Sequence, residues 1–396
     1  MNILVIHETE YIDKVIFEYQ IIPEILASRG HHVYVIDFPT NWSKQKSPSL
    51  FSPQTRYDNV SRANKSRGVT LFRPFFVRLP AISRMSAFIS YFFLIDKVIR
   101  EQQIERIILY AAPTNGIQTL LLARFHNIPV LFRSLDVLHQ IVPSKLLRIP
   151  TLILERAVYI FADGISAITH KLIDYIVTLG AQPGRCSYLP TGADGDLFFS
   201  QPKDQELLAS LGLKADDLIL LFSGTMYNFS GLTRIVRGLP EHLARIPNLK
   251  LILVGHGEQA EELNKLIHDL GLQKQVLMVG LVPYSEVPKY INLADVCINP
   301  FDINEITDII FPSKIYQYLA CGKPVIATRL NGMLDIFPPD LPENGVFYFE
   351  TTTQFFEIIE QVCSLKICSK SLTLQEITTK LEEQLHTMSN LNREEN

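Results

Sequence analysis

Short apolar runs alternate with longer segments whose apolar residues recur at helical spacing, and this rhythm covers most of the chain. Met1-Asn2-Ile3-Leu4-Val5-Ile6 reads as a buried strand, Ile22, Ile25 and Leu26 share one face of a helix that Gly30 ends, and Val33-Tyr34-Val35-Ile36 begins a second strand. A β-α-β start of this kind belongs to a doubly wound parallel sheet, whose strands are covered on both faces. Further strands are expected at 107–110, 129–132 and 163–168, with helices over 85–102, 115–126, 143–161 and 169–179. The alternation restarts at Leu218-Ile219-Leu220-Leu221-Phe222-Ser223 and continues through 251–254, 276–279, 296–298 and 325–327. The fold class expected is therefore α/β: two Rossmann-like, doubly wound domains facing each other across a cleft, with ligands beyond the carboxyl ends of the strands. The polar, proline-containing 200–204 segment suggests the linker, giving domains over 1–199 and 200–372. In the tail, Leu374, Ile377, Leu381 and Leu385 lie at helical spacing, so a last helix over about 373–390 has an apolar stripe to pack, with the first domain as its candidate partner.

One segment breaks the rhythm. From 40 to 80 the chain is polar and basic: Lys44, Lys46, Arg56, Arg62, Lys65, Arg67, Arg73 and Arg78 stand against Asp58, with Trp42, Phe51, Tyr57, Phe72, Phe75 and Phe76 interleaved. It reads either as a surface for anionic lipid headgroups or a phosphate-bearing acceptor, or as a solvated insertion loop. The length of 396 residues fits two domains, and a net charge of -4 argues against a general nucleic-acid binder. Five scattered cysteines without CxxC or zinc spacing suit a reducing cytoplasm. No signal peptide and no membrane-spanning run is visible, so the expected place is the cytoplasm, peripheral on the inner face of the membrane. No glycine stands between Ile6 and Gly30, which removes a dinucleotide fingerprint, and no His, Asp or Glu cluster has metal spacing.

The chemistry concentrates at 311–328. Pro312 suits a first helical turn, Gly322 a left-handed stop and Pro324 the end of the helix, before the buried run Val325-Ile326-Ala327. A helix start beside the carboxyl edge of a sheet is well placed for an anion, and Lys314 stands in its first turn.

Several motifs in order now carry a resemblance. Leu189-Pro190-Thr191-Gly192-Ala193-Asp194 with Phe198, Phe222-Ser223-Gly224-Thr225-Met226, Leu253-Val254-Gly255-His256-Gly257-Glu258, and Ala294-Asp295-Val296-Cys297-Ile298-Asn299-Pro300 precede the 311–328 stretch at the right separations. Together they resemble the hinge and donor domain of glycosyltransferase family 4, retaining enzymes of the GT-B fold. The resemblance implies a metal-independent, cofactor-free transfer of a sugar from a nucleoside diphosphate donor, with retention at the anomeric carbon. The acceptor it implies is a glycan or lipid-linked intermediate of cell-surface polysaccharide synthesis.

The resemblance also assigns residues. Donor binding falls to Gly224, Thr225, Ser230, Gly257, Pro312, Ser313, Lys314 and Gln317, and catalytic roles to Asp136 and Lys314; acceptor contact is expected of His7, Glu8 and Glu10 from their place at the carboxyl end of the first strand, where the alternative is solvated loop acids. The sequence departs from the family where charge matters. Thr225 and Ser230 stand at the positions of its diphosphate-binding arginine and lysine, Gln317 where a glutamate holds the ribose, and Ile309 at the earlier glutamate. Arg234 and Arg237 follow the glycine turn on a helix and are expected to face solvent. Asp136 either accepts a hydrogen bond from a sugar hydroxyl or caps the following helix. Two further readings stay open: a catalytically degenerate subunit supporting a partner transferase, and a nucleotide-sugar epimerase of the same fold.

Overall fold

The computed structural model describes residues 1–388 apart from 41, 43–48, 64, 81, 111, 143, 366 and 368–370. Lys44, Lys46, Cys368 and the last eight positions of the chain, 389–396, lie outside the described residues. The chain divides into two compact units, one of Met1–Pro190 with Leu374–Asn396 and one of Thr191–Thr373.

Unit 1 is built on an eight-stranded sheet. Its strands are β1 (Asn2–Ile6), β2 (His32–Ile36), β4 (Thr55–Val60), β5 (Val69–Arg73), β7 (Arg106–Leu109), β8 (Val130–Ser134), β9 (Gly164–Ala167) and β10 (Cys186–Tyr188), with β3 (Phe51–Ser52) and β6 (Phe76–Val77) pairing apart. The order is β10-β9-β8-β7-β1-β2-β5-β4, parallel throughout except at β4–β5. Buried Ile3, Leu4, Val5 and Ile6 form the centre, covered by helices on both faces as a parallel sheet requires. The helices are α1 (Glu18–Ser28), α2 (Ile82–Glu101), α3 (Gly116–Phe125), α4 (Leu138–Ile141), α5 (Lys145–Phe161) and α6 (His170–Thr178).

The segment read as an irregular loop thus supplies four strands, β3 to β6. β5 continues the parallel order beside β2, its Leu71 and Phe72 buried, and β4 closes the edge. Only that antiparallel edge is polar on both faces, which hides its strand pattern. Its cations are also largely engaged. Arg73 donates to Asp37 at 3.0 Å and Glu10 at 3.3 Å, Arg56 pairs with Asp58, and Arg62 donates to the Tyr11 carbonyl. The Glu24 carboxylate of α1 holds Ser61, Arg62 and Ala63 in place at 2.6–2.9 Å.

Unit 2 has the six-stranded parallel order β13-β12-β11-β14-β15-β16. The strands are β11 (Leu218–Ser223), β12 (Leu249–Val254), β13 (Val276–Gly280), β14 (Val296–Asn299), β15 (Val325–Thr328) and β16 (Val346–Phe349). Between and beside them run α7 (Gln205–Ser210), α8 (Leu232–Leu243), α9 (Ala260–Asp269), α10 (Val287–Leu293), α11 (Lys314–Ala320), α12 (Asn331–Leu334) and α13 (Thr352–Val362). The chain moves outward from β11 through β12 to β13, then returns to the other side of β11 at β14. Loops leaving β11 and β14 therefore diverge, which opens a crevice at the carboxyl ends of those two strands.

The division falls after Pro190, not at 200–204. That segment is fastened inside unit 2: the Gln201 N–H donates to Asn292 at 2.9 Å, and Lys203 pairs with Asp295 at 2.6 Å. The last helix, α14 (Leu374–Thr387), belongs to unit 1. Its Leu374, Ile377, Leu381 and Leu385 are buried, and Glu382 meets Arg29 and His31, in the turn between α1 and β2, at 2.9 and 2.6 Å.

Candidate active site

In unit 2, Lys314 is where the sheet, the glycine turns and α11 meet. Ser313 caps the helix and Pro312 stands one residue before it, so proline leads into the helix instead of occupying its first turn. Tyr318, one turn after Lys314 on the same face, accepts from the Ser223 N–H at 2.8 Å and so pins α11 to the end of β11. This places the Lys314 ammonium 3.7 Å from the Phe222 ring centre and 4.9 Å from that of Phe301. Phe311, Tyr316 and Phe337 stack at 4.9–5.9 Å and hold the start of the helix from behind.

The ammonium lies beside Gly224: a Cβ there would stand 3.1 Å from Nζ. Gly224 is left-handed at φ 125°, and Gly255 at φ 128° backs onto it so closely that a Cβ would fall 2.1 Å from the Gly224 carbonyl oxygen. Gly257 packs in the same way on Met226. The two turns are locked by Gly224 donating to the Val254 carbonyl at 2.9 Å and Met226 to that of His256 at 3.2 Å. Gly224 and Thr225 remain exposed. An exposed glycine turn beside a cation lets a ligand's phosphates approach the backbone closely.

No carboxylate faces Lys314 among the described residues. Burial pulls its pKa down to about 7. An ammonium in that state is stabilised by the arrival of an anion.

The other donor-site assignments divide. Gln317 is half-buried on α11, and its side chain makes no hydrogen bond among the described residues. Ser230 is buried, its hydroxyl unpartnered among the described residues, at the turn where left-handed Gly231 leads into α8 against the Pro300 carbonyl. Arg234 is not solvent-facing: it donates to the Pro300 carbonyl at 3.1 Å, approaches Asp302 at 3.6 Å and stacks on Phe349. It fastens the loop after β14, whereas Arg237 is exposed as expected.

Sequence reasoning missed four contributors. Phe222 and Phe301 are ordinary core residues by pattern, and only the fold brings them over Lys314. Asn299 ends β14 fully buried, with neither amide atom hydrogen-bonded among the described residues. A polar residue closing an apolar strand next to a proline was the available signal. Thr328, one residue past Asn299's partner Ala327 on β15, is likewise buried with a free hydroxyl.

In unit 1 the switch point lies between β1 and β7. His7 packs between Tyr11 and Tyr19, and burial pushes its pKa down to about 3, so it is neutral. Glu8 accepts from the Thr114 N–H at 2.6 Å and from Arg84 at 3.3 Å. Glu10 is buried and pairs with Arg73, so its carboxylate is occupied within the fold. Asp136 does not cap α4. That task falls to Glu155, which accepts from the Leu138 and His139 N–H groups at 3.1 Å and from Tyr159 at 2.7 Å. Asp136 has no hydrogen-bond partner among the described residues, and burial raises its pKa to about 6. Arg133, by contrast, is structural: it grips Glu18 at 2.7 Å and donates to the Leu189 and Pro190 carbonyls where unit 1 ends.

With the site described, the relatives can be compared. Residues 217–364 match the family Glycosyl transferases group 1. Unit 2 carries a glycosyl transferases group 1 domain. A GDP-mannose-dependent alpha-(1-6)-phosphatidylinositol monomannoside mannosyltransferase of Mycolicibacterium smegmatis is 29% identical over 147 residues, 37% of this chain and 38% of that protein. The chain spans between about a third and a half of the length of the curated relatives it matches. Among solved structures, a sucrose-phosphate synthase of Thermosynechococcus elongatus aligns with a TM-score of 0.70 at 20% identity, over 99% of this chain and 98% of that one. HepE of Anabaena, in complex with UDP and glucose, aligns at 0.71 and 16% identity, over 98% and 100%. The fold is GT-B, two Rossmann-like units in one chain.

Proposed function

We propose that this protein transfers a sugar from a nucleoside diphosphate sugar to a glycan or lipid-linked acceptor, without a metal and with retention at the anomeric carbon. The observation that carries the reading is the unpaired ammonium of Lys314 beside the exposed Gly224 turn. As the bond between the anomeric carbon and the β-phosphate oxygen breaks, negative charge grows on the diphosphate. A cation already in place, in a site of low polarity, stabilises that charge without reorganising. The acceptor oxygen forms the new bond on the face the phosphate leaves, and its proton passes to the departing phosphate oxygen. Gln317 can accept one hydrogen bond from a ribose hydroxyl in place of the family's glutamate. Asp136, partnerless and partly desolvated, suits a sugar or acceptor hydroxyl. The similarity to the Mycolicibacterium phosphatidylinositol monomannoside mannosyltransferase supports a lipid-linked acceptor, here in cell-surface polysaccharide synthesis, and a cytoplasmic site goes with the nucleotide-sugar donor.

Incubation with UDP-, GDP- and ADP-sugars, read by release of free nucleoside diphosphate, tests the reading. We expect slow hydrolysis of one donor, lost in K314A. Tight nucleotide binding with no turnover, with any donor or acceptor extract, would instead identify the degenerate subunit that Thr225, Ser230, Ile309 and Gln317 leave conceivable.

A further inference from the structure

Unit 1 exposes an apolar face that its own core does not use. On α2, Met85, Ile89 and Phe93 are 69%, 64% and 68% exposed and recur every fourth residue, forming a stripe flanked by Phe88 and Phe92. The opposite side of the helix, with Ala87, Tyr91, Leu94, Ile95 and Val98, already fills the core. α3 lies against α2, fixed by Gln118 donating to the Phe88 carbonyl at 2.8 Å and by His126 meeting Asp96 at 2.8 Å, and it adds Leu121 and Phe125. α5 packs on α3 and adds Leu146, Ile149 and Ile153. Single exposed apolar residues need no explanation, but a stretch across three adjoining helices does.

The charge around this face is mainly positive: Asp96, the first acid of α2, is engaged by Arg100 at 2.7 Å and His126 at 2.8 Å. α2 carries no acid from Ile82 to Ile95, and the sole acid of α5, Glu155, is buried and fully engaged. Arg124, Lys145, Arg148 and Arg156 stand beside the apolar side chains without a carboxylate partner among the described residues. A second copy of the chain fits poorly, because a self-complementary contact would set these cations against one another, while 82–95 and α3 hold no acid and the acid of α5 is buried. Apolar side chains ringed by unpaired cations match an anionic bilayer, whose acyl boundary and phosphates are the two complements. The cations of 40–80 are less suited, since Arg56, Arg62 and Arg73 are tied within the fold.

We propose that the α2–α3–α5 face of unit 1 docks on an anionic phospholipid surface. Met85, Ile89, Phe93, Leu146, Ile149 and Ile153 enter the acyl boundary, and Lys145, Arg148 and Arg156 meet headgroup phosphates. Because the readout is binding and not turnover, the test is separate from that of sugar transfer. The full chain is sedimented with vesicles of phosphatidylcholine alone and of phosphatidylcholine mixed with phosphatidylglycerol, at low and high salt. We expect binding to the mixed vesicles that weakens with salt, and a loss of about tenfold or more in I89S/F93S, in L146S/I149S/I153S and in K145E/R156E. Circular dichroism melts that match the parent protein would show these surface variants folded. No binding to mixed vesicles, unchanged binding by the folded variants, or a dimer in sedimentation velocity that I89S/F93S abolishes would each overturn the proposal.

Discussion

At the scale of single residues, the account turns on two groups whose burial has displaced their protonation. Burial holds the Lys314 pKa near 7, far below its ordinary 10.5, because the charged form is desolvated between Phe222 and Phe301. Only the protonated form attracts a diphosphate. Nucleoside diphosphate affinity should therefore fall as pH rises through 7, and binding at pH 8 should take up close to one proton per site. Calorimetry in two buffers of different ionisation enthalpy reads both. An affinity that stays flat from pH 6 to pH 9 would contradict the role given to Lys314. Asp136 is shifted in the opposite direction, from 3.8 up to about 6, with burial as the cause. Its folded pKa lies above the unfolded one, so the desolvation cost is absent below about pH 4 and complete above about pH 6. D136N should raise the melting temperature at pH 7 but not at pH 3.5, while lowering transfer. A variant destabilised at pH 7 would show that Asp136 serves the fold.

At the scale of elements, the donor side of the site rests on glycines and on one tyrosine. Gly255 cannot carry a side chain without moving the Gly224 carbonyl, and its φ of 128° is itself unfavourable for any other residue. G255A should lower the urea midpoint by about 2–3 kcal/mol equivalent and weaken nucleotide binding as well. G271A, a left-handed glycine in open space, should cost stability and leave binding untouched. The glycine turns and α11 were legible in the sequence because Gly224, Gly255, Gly257 and Gly322 occur where strands or a helix end, and backbone geometry demands them there. Gly322 has φ 72°, as the left-handed stop required. The 40–80 segment was not legible. β4 alternates poorly since both its faces reach solvent, and the apolar Leu71 and Phe72 of β5 are shielded in the sequence by neighbouring arginines. Those arginines read as a surface charge run, although Arg73 is half of a buried pair with Asp37. A pairing between residues far apart in sequence leaves no local mark.

At the scale of the whole molecule, the β-α rhythm carried the fold, since strands buried on both faces must be continuously apolar. The boundary between units was harder. The 200–204 segment has linker composition, but Asn292 and Asp295 tie it down, and the true change of unit lies at Pro190, where Arg133 holds the carbonyls. The site was legible as a set of positions and not as a mechanism. Lys314 stood out in the sequence as the cation at a helix start, whereas the faces of Phe222 and Phe301 and the absence of an acid beside it among the described residues came only with the fold. Asn299 and Thr328 mark the same crevice with buried polar groups that lack partners among the described residues.

The central claim is that unit 2 holds a diphosphate through Lys314. Titration calorimetry at pH 7 with UDP, GDP and ADP, each against its monophosphate, tests it most directly in the parent protein and K314A. The account predicts that one diphosphate binds better than its monophosphate and that K314A loses about tenfold or more of that affinity, the worth of one charge-assisted contact. Equal affinity of parent and K314A for every nucleotide would contradict it.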